Sequence, residues 1–383
     1  MHTPLLNWIE LSQKALRANV ASLHRLADGC RLALSVKANA YGHGLAEIVG
    51  QMTAIENVEY LTIHSMDEAL ACRRAGWDRR LIVLGPIGPD ALDQVLEHDL
   101  EPTIFDLRTL KTLGKISSKA KVSVRTHLKL ETGTNRQGIT GEELPGFVEI
   151  YRKYPTLGKP YGAATHFANI EDTTNHDYAE LQLAAFRSLI KDLTKLKMRP
   201  SLMHTASSAA TILFAKTHFD MVRPGLSVYG HWPSKETYLS YRLAGGDNDL
   251  FSPVLSWKTR VTQIKKIARD SYVGYGCTYR TTAATKMAVI PIGYADGYDR
   301  GLSNTAYALV RGQRAPVRGR VCMNLAMIDI THIKGVRLGD AVTLIGRDGD
   351  ETLTAEQLAD WSGTINYEIL SRLSPLIPRI VVE

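Results

Sequence analysis

The sequence predicts an α/β fold: an N-terminal (β/α)8 barrel of the TIM type followed by a mostly β C-terminal domain. Three observations point there. Between residues 32 and 223, eight short runs of apolar or β-branched residues recur, with amphipathic stretches between them. Polar residues suited to chemistry stand directly after several of those runs, where a parallel barrel places its active face. After about Gly230 the pattern changes to longer β-like runs, several of them separated by Gly, Asp and Asn.

The eight runs are residues 32–36, 60–64, 81–84, 103–105, 122–130, 161–166, 202–205 and 219–223. Helical spacing of Leu16, Val20, Leu23 and Leu26 precedes the first run. The same spacing of Tyr178, Leu181, Ala185, Phe186, Leu189 and Leu193 follows the sixth. Asp67, Asp90 and Asp106 stand at the front of apolar-periodic segments and read as helix starts. Strand counting alone leaves a doubly wound open sheet as the competing topology. Residues 231–252, with Gly245, Gly246 and several polar residues, read as an irregular linker. β-like runs follow at 254–267, 287–292, 307–311, 315–321, 327–330 and 341–345, then a short helix near 355–361. The expected division is a barrel over residues 1–235 and a β-rich domain over 236–383, the first few residues being able to pair with the second domain. A chain of 383 residues suits two cores better than one.

The composition, 44% hydrophobic and 22% charged, is that of a soluble globular protein. No apolar stretch approaches a membrane span. Residues 1–10 lack the basic start and apolar core of a signal peptide. Cys30, Cys72, Cys277 and Cys322 lie far apart with no CxxC pair. That argues against a disulfide framework or a metal site and for a reducing cytoplasm. The net charge of +7 is spread over the chain. It suits an anionic cofactor and a carboxylate substrate, and no nucleic-acid motif accompanies it.

The first chemical candidate is Lys37, in Val36-Lys37-Ala38-Asn39-Ala40-Tyr41-Gly42-His43-Gly44. It leaves an apolar strand at the presumed active face, where burial lowers an amine's pKa and frees it as a nucleophile. A lysine snorkelling at a barrel rim is the alternative for an isolated residue. Arg136 lies in His127-Leu128-Lys129-Leu130-Glu131-Thr132-Gly133-Thr134-Asn135-Arg136, and its guanidinium is a planar fork suited to a carboxylate or phenolate. His166 ends the sixth run. Ser207 and Ser208 open a helix after the seventh, where free amides and the helix dipole make a phosphate seat, or simply a cap. Arg223 ends the eighth, in Met221-Val222-Arg223-Pro224-Gly225-Leu226. Gly274-x-Gly276 lacks the third glycine and the strand–turn–helix setting of a nucleotide loop.

The string around Lys37 resembles the cofactor-lysine signature of the alanine racemases, fold-type III enzymes that use pyridoxal 5′-phosphate (PLP). The resemblance runs nearly end to end. It includes Val273-Gly274-Tyr275-Gly276-Cys277-Thr278-Tyr279, Ile290-Pro291-Ile292-Gly293-Tyr294-Ala295-Asp296-Gly297-Tyr298, Gly319-Arg320-Val321-Cys322-Met323-Asn324 and Ile365-Asn366-Tyr367-Glu368. It implies that Lys37 holds PLP as a Schiff base, and that Lys37 and Tyr275 are the catalytic acid–bases for the D-side and the L-side. It implies that Ser208, Gly225, Leu226 and Tyr367 hold the cofactor phosphate and that Tyr41 also binds the cofactor. His166 would link Tyr275 to Arg223, which faces the ring nitrogen. Arg136 and the Met323 amide would bind the substrate carboxylate. No metal is implied.

Arg223 carries a mechanistic implication. A guanidinium with a pKa above ~12 does not hand over its proton, so the ring nitrogen stays unprotonated and return of a proton is favoured over transamination. The implied function is interconversion of L- and D-alanine by two bases, supplying D-alanine for peptidoglycan, in a cytoplasmic homodimer whose subunits share active sites. No nucleic-acid or membrane partner is implied. Glu131 and Thr134 stand where the family more often has Asp and Met, Ser207 where Asn is frequent, and Asn324 where Asp is frequent. Some members carry a carbamylated lysine at the position of Lys129, which would pair with Arg136; an ordinary lysine–carboxylate pair is the alternative. A racemase of serine or larger amino acids, a related barrel decarboxylase, and a non-catalytic PLP-binding barrel share parts of the same pattern.

Overall fold

The computed structural model describes residues 5–383. The chain forms two compact units. One comprises Ala15–Ala40 and Leu45–Ser252; the other comprises the chain up to Lys14, Tyr41–Gly44 and Pro253–Glu383.

Strand β1 (Asn7–Ser12) belongs to the second unit. The eight strands of the first are β2 (Arg31–Ser35), β3 (Tyr60–Ile63), β4 (Arg80–Val83), β5 (Glu101–Ile104), β6 (His127–Lys129), β7 (Gly162–Ala164), β8 (Leu202–His204) and β9 (Met221–Val222). They lie in the order β8-β7-β6-β5-β4-β3-β2-β9, and every pair is parallel. Asp220 N–H donates to Met203 O (3.1 Å) and Arg223 N–H to Ala206 O (2.8 Å), which joins the two ends of the sheet. Each strand lies beside its sequence neighbour, so this is the barrel and not a doubly wound sheet, whose strand order reverses partway.

Each of the eight expected runs falls on a strand. The long run at 122–130 contracts to β6, because Lys121 ends the preceding helix in the left-handed region (φ 58°) and Val122 turns outward. β3 and β5 are buried at every position, as strands covered on both faces must be. Ala33, Tyr60, Ile82, Leu202 and Met221 pack together within this unit.

The helix Gln13–Ala27 buries Leu16, Val20 and Leu23, as their spacing predicts. The helix Asp177–Lys195 is rotated from the expected stripe. It buries Ala179, Gln182, Leu183, Phe186, Ile190 and Leu193 and leaves Tyr178 and Leu181 exposed. Tyr178 is used instead through its hydroxyl, which donates to Gly133 O (2.9 Å). Asp106 caps the helix Leu107–Ala120 by accepting from Thr109 N–H (2.7 Å). Asp67 sits inside the first turn of Met66–Arg74, whose cap is Ser65. Asp90 lies in a short 3-10 turn, and Asp93 caps the helix that follows. Residues 231–252 are not irregular. They hold the helix Lys235–Leu243, capped by Ser234, with Trp232 packed against Tyr238, Tyr241 and Phe251.

The second unit continues with β10 (Leu255–Arg260), β11 (Gln263–Ile267), β12 (Tyr272–Val273), β13 (Tyr279–Arg280), β14 (Thr285–Ile290), β15 (Tyr307–Val310), β16 (Gln313–Pro316), β17 (Ala326–Asp329), β18 (Ala341–Asp348), β19 (Glu351–Leu353) and β20 (Arg379–Val382). The main sheet runs β16-β15-β18-β10-β1-β20, with β19 on β18; β11-β14-β17 and the hairpin β12-β13 stand apart from it. The expected single run 254–267 is therefore two strands in different sheets. β1 pairs antiparallel with β10 and parallel with β20. Trp257 anchors that pairing: fully buried, its indole N–H donates to Asn7 Oδ1 (2.8 Å). Among the described residues no helix is long and apolar enough to cross a membrane.

Candidate active site

After β2 the backbone turns the wrong way. Ala38, Asn39, Ala40 and Tyr41 all have φ between 53° and 54°, one turn of left-handed helix directly after Lys37. For L-residues this costs about 1–2 kcal/mol each. Such strain persists only where neighbours over-determine it. Here Ala40 N–H donates to Val36 O (2.8 Å), Ala38 N–H to Glu68 Oε1 (2.6 Å) and Leu45 N–H to Asn39 Oδ1 (2.8 Å). The other oxygen of Glu68 accepts from His64 N–H (2.7 Å). The turn thus fixes where Lys37 leaves the strand. Burial, then the nearby Arg136, lowers the Lys37 amine below its ordinary pKa, against the opposing pull of Glu68 and Glu171.

In the second unit the same string meets the helix Asn366–Ser371. Tyr41 and Tyr367 stand ring to ring at 6.1 Å. Gly42 has φ +81°, and a Cβ there would lie 1.8 Å from Leu370 O. Gly42→Ala should therefore destabilise the protein by more than about 2 kcal/mol, combining a forbidden φ with a backbone clash. Thermal unfolding checks this, and an unchanged midpoint would contradict it.

At the ends of the later barrel strands, cationic groups gather, with Glu131 near Lys129 as an opposing charge. Burial pushes Arg223 down to about 10. Its guanidinium donates to His204 Nδ1 (2.7 Å), to the His204 carbonyl and to Thr165 O (2.9 Å). The guanidinium is thus anchored on His204, and through Thr165 O it also reaches the end of β7, which His166 follows. Burial, then Lys129, Arg223 and Arg136, holds His166 well below the usual histidine range, so its ring is neutral. Burial, then Arg223 and Arg136, does the same to the Lys129 amine. Lys129 forms no ion pair among the described residues. The Glu131 carboxylate turns instead to Thr132 N–H (2.9 Å) and Gly133 N–H (2.6 Å).

Arg136 is exposed on the loop after β6. That loop is pinned to the end of β7 by Thr134, whose hydroxyl donates to His166 O, and by Gln182, whose amide donates to the same oxygen (3.2 Å). Thr134 thus has a structural use of its own. Ser208 Oγ accepts from Gly225 N–H (2.9 Å) and Ser227 N–H (3.4 Å), drawing the helix Ser208–Leu213 and the loop after β9 together. Ser207 holds the cap position but makes no side-chain cap bond.

In the second unit, Tyr275 stands on a short turn between β12 and β13 and is 73% exposed. With Tyr294, Arg300, Arg320 and Met323 it lines a cleft of about 480 Å³. Met323 is 56% exposed, and its carbonyl accepts from Ala295 N–H (3.0 Å). The barrel unit therefore brings together Lys37, Arg136, His166, Ser208, Arg223, Gly225 and Leu226. The second unit holds Tyr41 with Tyr367, and Tyr275 with Met323. Glu68 and His204 carry no motif signal of their own; only the folded chain reveals their use.

The sequence matches the family models "Alanine racemase, N-terminal domain" over residues 11–233 and "Alanine racemase, C-terminal domain" over residues 254–381. Alanine racemase of Leptospira interrogans is 39% identical over 380 residues, covering 98% of this chain and 96% of that protein. That of Methanococcus maripaludis is 34% identical over 380 residues, covering 98% of each. The crystal structure of alanine racemase from Bacillus anthracis with bound L-Ala-P superposes with a TM-score of 0.90 at 33% identity, covering 100% of this chain and 96% of that one. With both domains matched in order and relatives aligned along nearly the whole length, the chain belongs to the alanine racemase family.

Proposed function

We propose that the protein interconverts L- and D-alanine with PLP bound at the C-terminal end of the barrel, using Lys37 and Tyr275 as its two acid–bases. The observation that carries the cofactor assignment is the charge at that end of the barrel. Lys37, Lys129, Arg136 and Arg223 gather there; burial first, then Arg136 at both amines and Arg223 at Lys129, depresses the two lysines. A half-buried cluster of positive charge suits an anionic occupant, and the phosphate and phenolate of PLP fit it. When bound, PLP supplies an electron sink for the pair left behind when the α-proton is removed.

The chain's own residues do the rest. Burial and Arg136 keep the Lys37 amine able to give and take a proton at Nζ, for the D-side. Tyr275 does so at Oη for the L-side. Arg136 and the Met323 amide hold the substrate carboxylate. Ser208, Gly225, Leu226 and Tyr367 hold the phosphate, and Tyr41 and His166 position the cofactor. Arg223 at about 10 still keeps its proton at neutral pH, so it offers a hydrogen bond without transferring charge. That favours return of a proton over transamination.

Tyr275 and Met323 lie open on their unit. Acid–base chemistry of this kind needs water excluded, so a second copy is proposed to cover them and each site to draw Tyr275 from the partner subunit. The setting is a cytoplasm that consumes D-alanine for peptidoglycan. A carrier built on the barrel alone would have no use for the second domain, which this chain shares with the family. A chiral assay with L-alanine, D-alanine and L-serine tests the reading. Both alanine enantiomers should converge on equal amounts, faster than serine. Preferred conversion of serine would change the substrate, and no conversion of either would overturn the activity.

A further inference from the structure

The barrel interior holds a buried polar chain that the reading above does not use. The Arg223 guanidinium meets His204 Nδ1 at 2.7 Å. His204 Nε2 meets His127 Nδ1 at 2.8 Å, and His127 Nε2 meets Glu101 Oε2 at 2.8 Å. Glu101 Oε1 faces Arg80 at 3.2 Å and Arg125 at 3.6 Å. Both histidines are fully buried and Glu101 is 1% exposed. Glu101 and His127 begin β5 and β6, whereas Arg223 follows the end of β9. The chain therefore runs from the N-terminal end of the barrel to its active end. Gly162 leaves room for it: a Cβ there would lie 2.0 Å from His127 Nδ1.

Proton bookkeeping allows one arrangement with both rings neutral. A guanidinium only donates and a carboxylate only accepts. His204 Nδ1 must then accept from Arg223, which leaves its proton on Nε2. That proton is donated to His127 Nδ1, so the His127 proton sits on Nε2 and is donated to Glu101. Reversing the direction sets N–H against N–H at Arg223 and a lone pair against the carboxylate. Protonating either ring sets two N–H groups against each other.

We infer that Glu101 is a positioning residue for the active-site guanidinium: through His127 and His204 it fixes both tautomers so that an acceptor faces Arg223. The inference rests on the reading of Arg223 as the group at the ring nitrogen. It places the carboxylate a barrel's depth from the cofactor, beside Arg80 and Arg125, where it orders the chain leading to Arg223 without being offered to the ring.

The test uses the holoenzyme labelled with nitrogen-15 histidine, in which ring shifts report the protonated nitrogen; His127→Gln and His204→Gln assign the signals. In the wild type both rings should be neutral with the proton on Nε2. A His204 proton on Nδ1, or a doubly protonated ring, overturns the inference and needs no variant. In Glu101→Gln the amide oxygen should turn to Arg80 and Arg125, leaving its NH2 toward His127. Both protons should then move to Nδ1, and kcat for alanine should fall about tenfold or more, as for lost outer-shell partners elsewhere, with KM little changed. Retention of Nε2–H on both rings with unchanged kcat also overturns it. The ring shifts do not depend on turnover, so this inference and the racemase reading can fail separately.

Discussion

Lys37→Ala should lower racemisation at least about a thousandfold in both directions, since acid–base catalysis alone is worth about 10²–10⁴ and the same amine is proposed to hold the cofactor. The fold should survive. Lys37 is only half-buried, and burial, then Arg136, already disfavours its charge. The left-handed turn beside it is held by Val36 O, Glu68 and Asn39, none of which needs the lysine side chain. The thermal midpoint should therefore move little while the chiral assay goes nearly silent. A variant that keeps a tenth of the wild-type rate would remove Lys37 from the chemistry.

Tyr275→Phe should also cost about 10²–10⁴-fold in racemisation, but it should separate the two faces. In deuterium oxide, α-proton exchange from D-alanine should continue through Lys37, while exchange from L-alanine is lost. Because Tyr275 is 73% exposed, the substitution should change stability by less than about 0.5 kcal/mol. Equal exchange from both enantiomers would contradict the division of labour.

Much of this molecule is readable from its sequence, and the unread parts share a cause. The eight barrel strands are apolar runs bounded by polar residues, so periodicity finds them. β20 is different: its outward positions leave no alternation, and only its ladder with β1 makes it a strand. The helix Lys235–Leu243 shows no apolar stripe because it buries only Thr237; it is held by Tyr238 and Tyr241 packing on Trp232 in the loop before it. At the site, Lys37 and Arg223 stand directly after strands and Arg136 on the loop after β6, where a barrel puts its chemistry. Glu68 and His204 act across the fold, through distances no spacing rule encodes. The left-handed turn is the sharpest case: Ala38 and Ala40 are good right-handed helix formers, and tertiary hydrogen bonds overrule that preference.

Lys37 is proposed as the lysine to which the cofactor is joined. Borohydride reduction of the holoenzyme fixes the cofactor to the amine that holds it, and peptide mass mapping then identifies that amine. The added mass should appear on the peptide carrying Lys37 and on no other. The same mass on Lys129, the other amine among the gathered cations, or on any other lysine would contradict it.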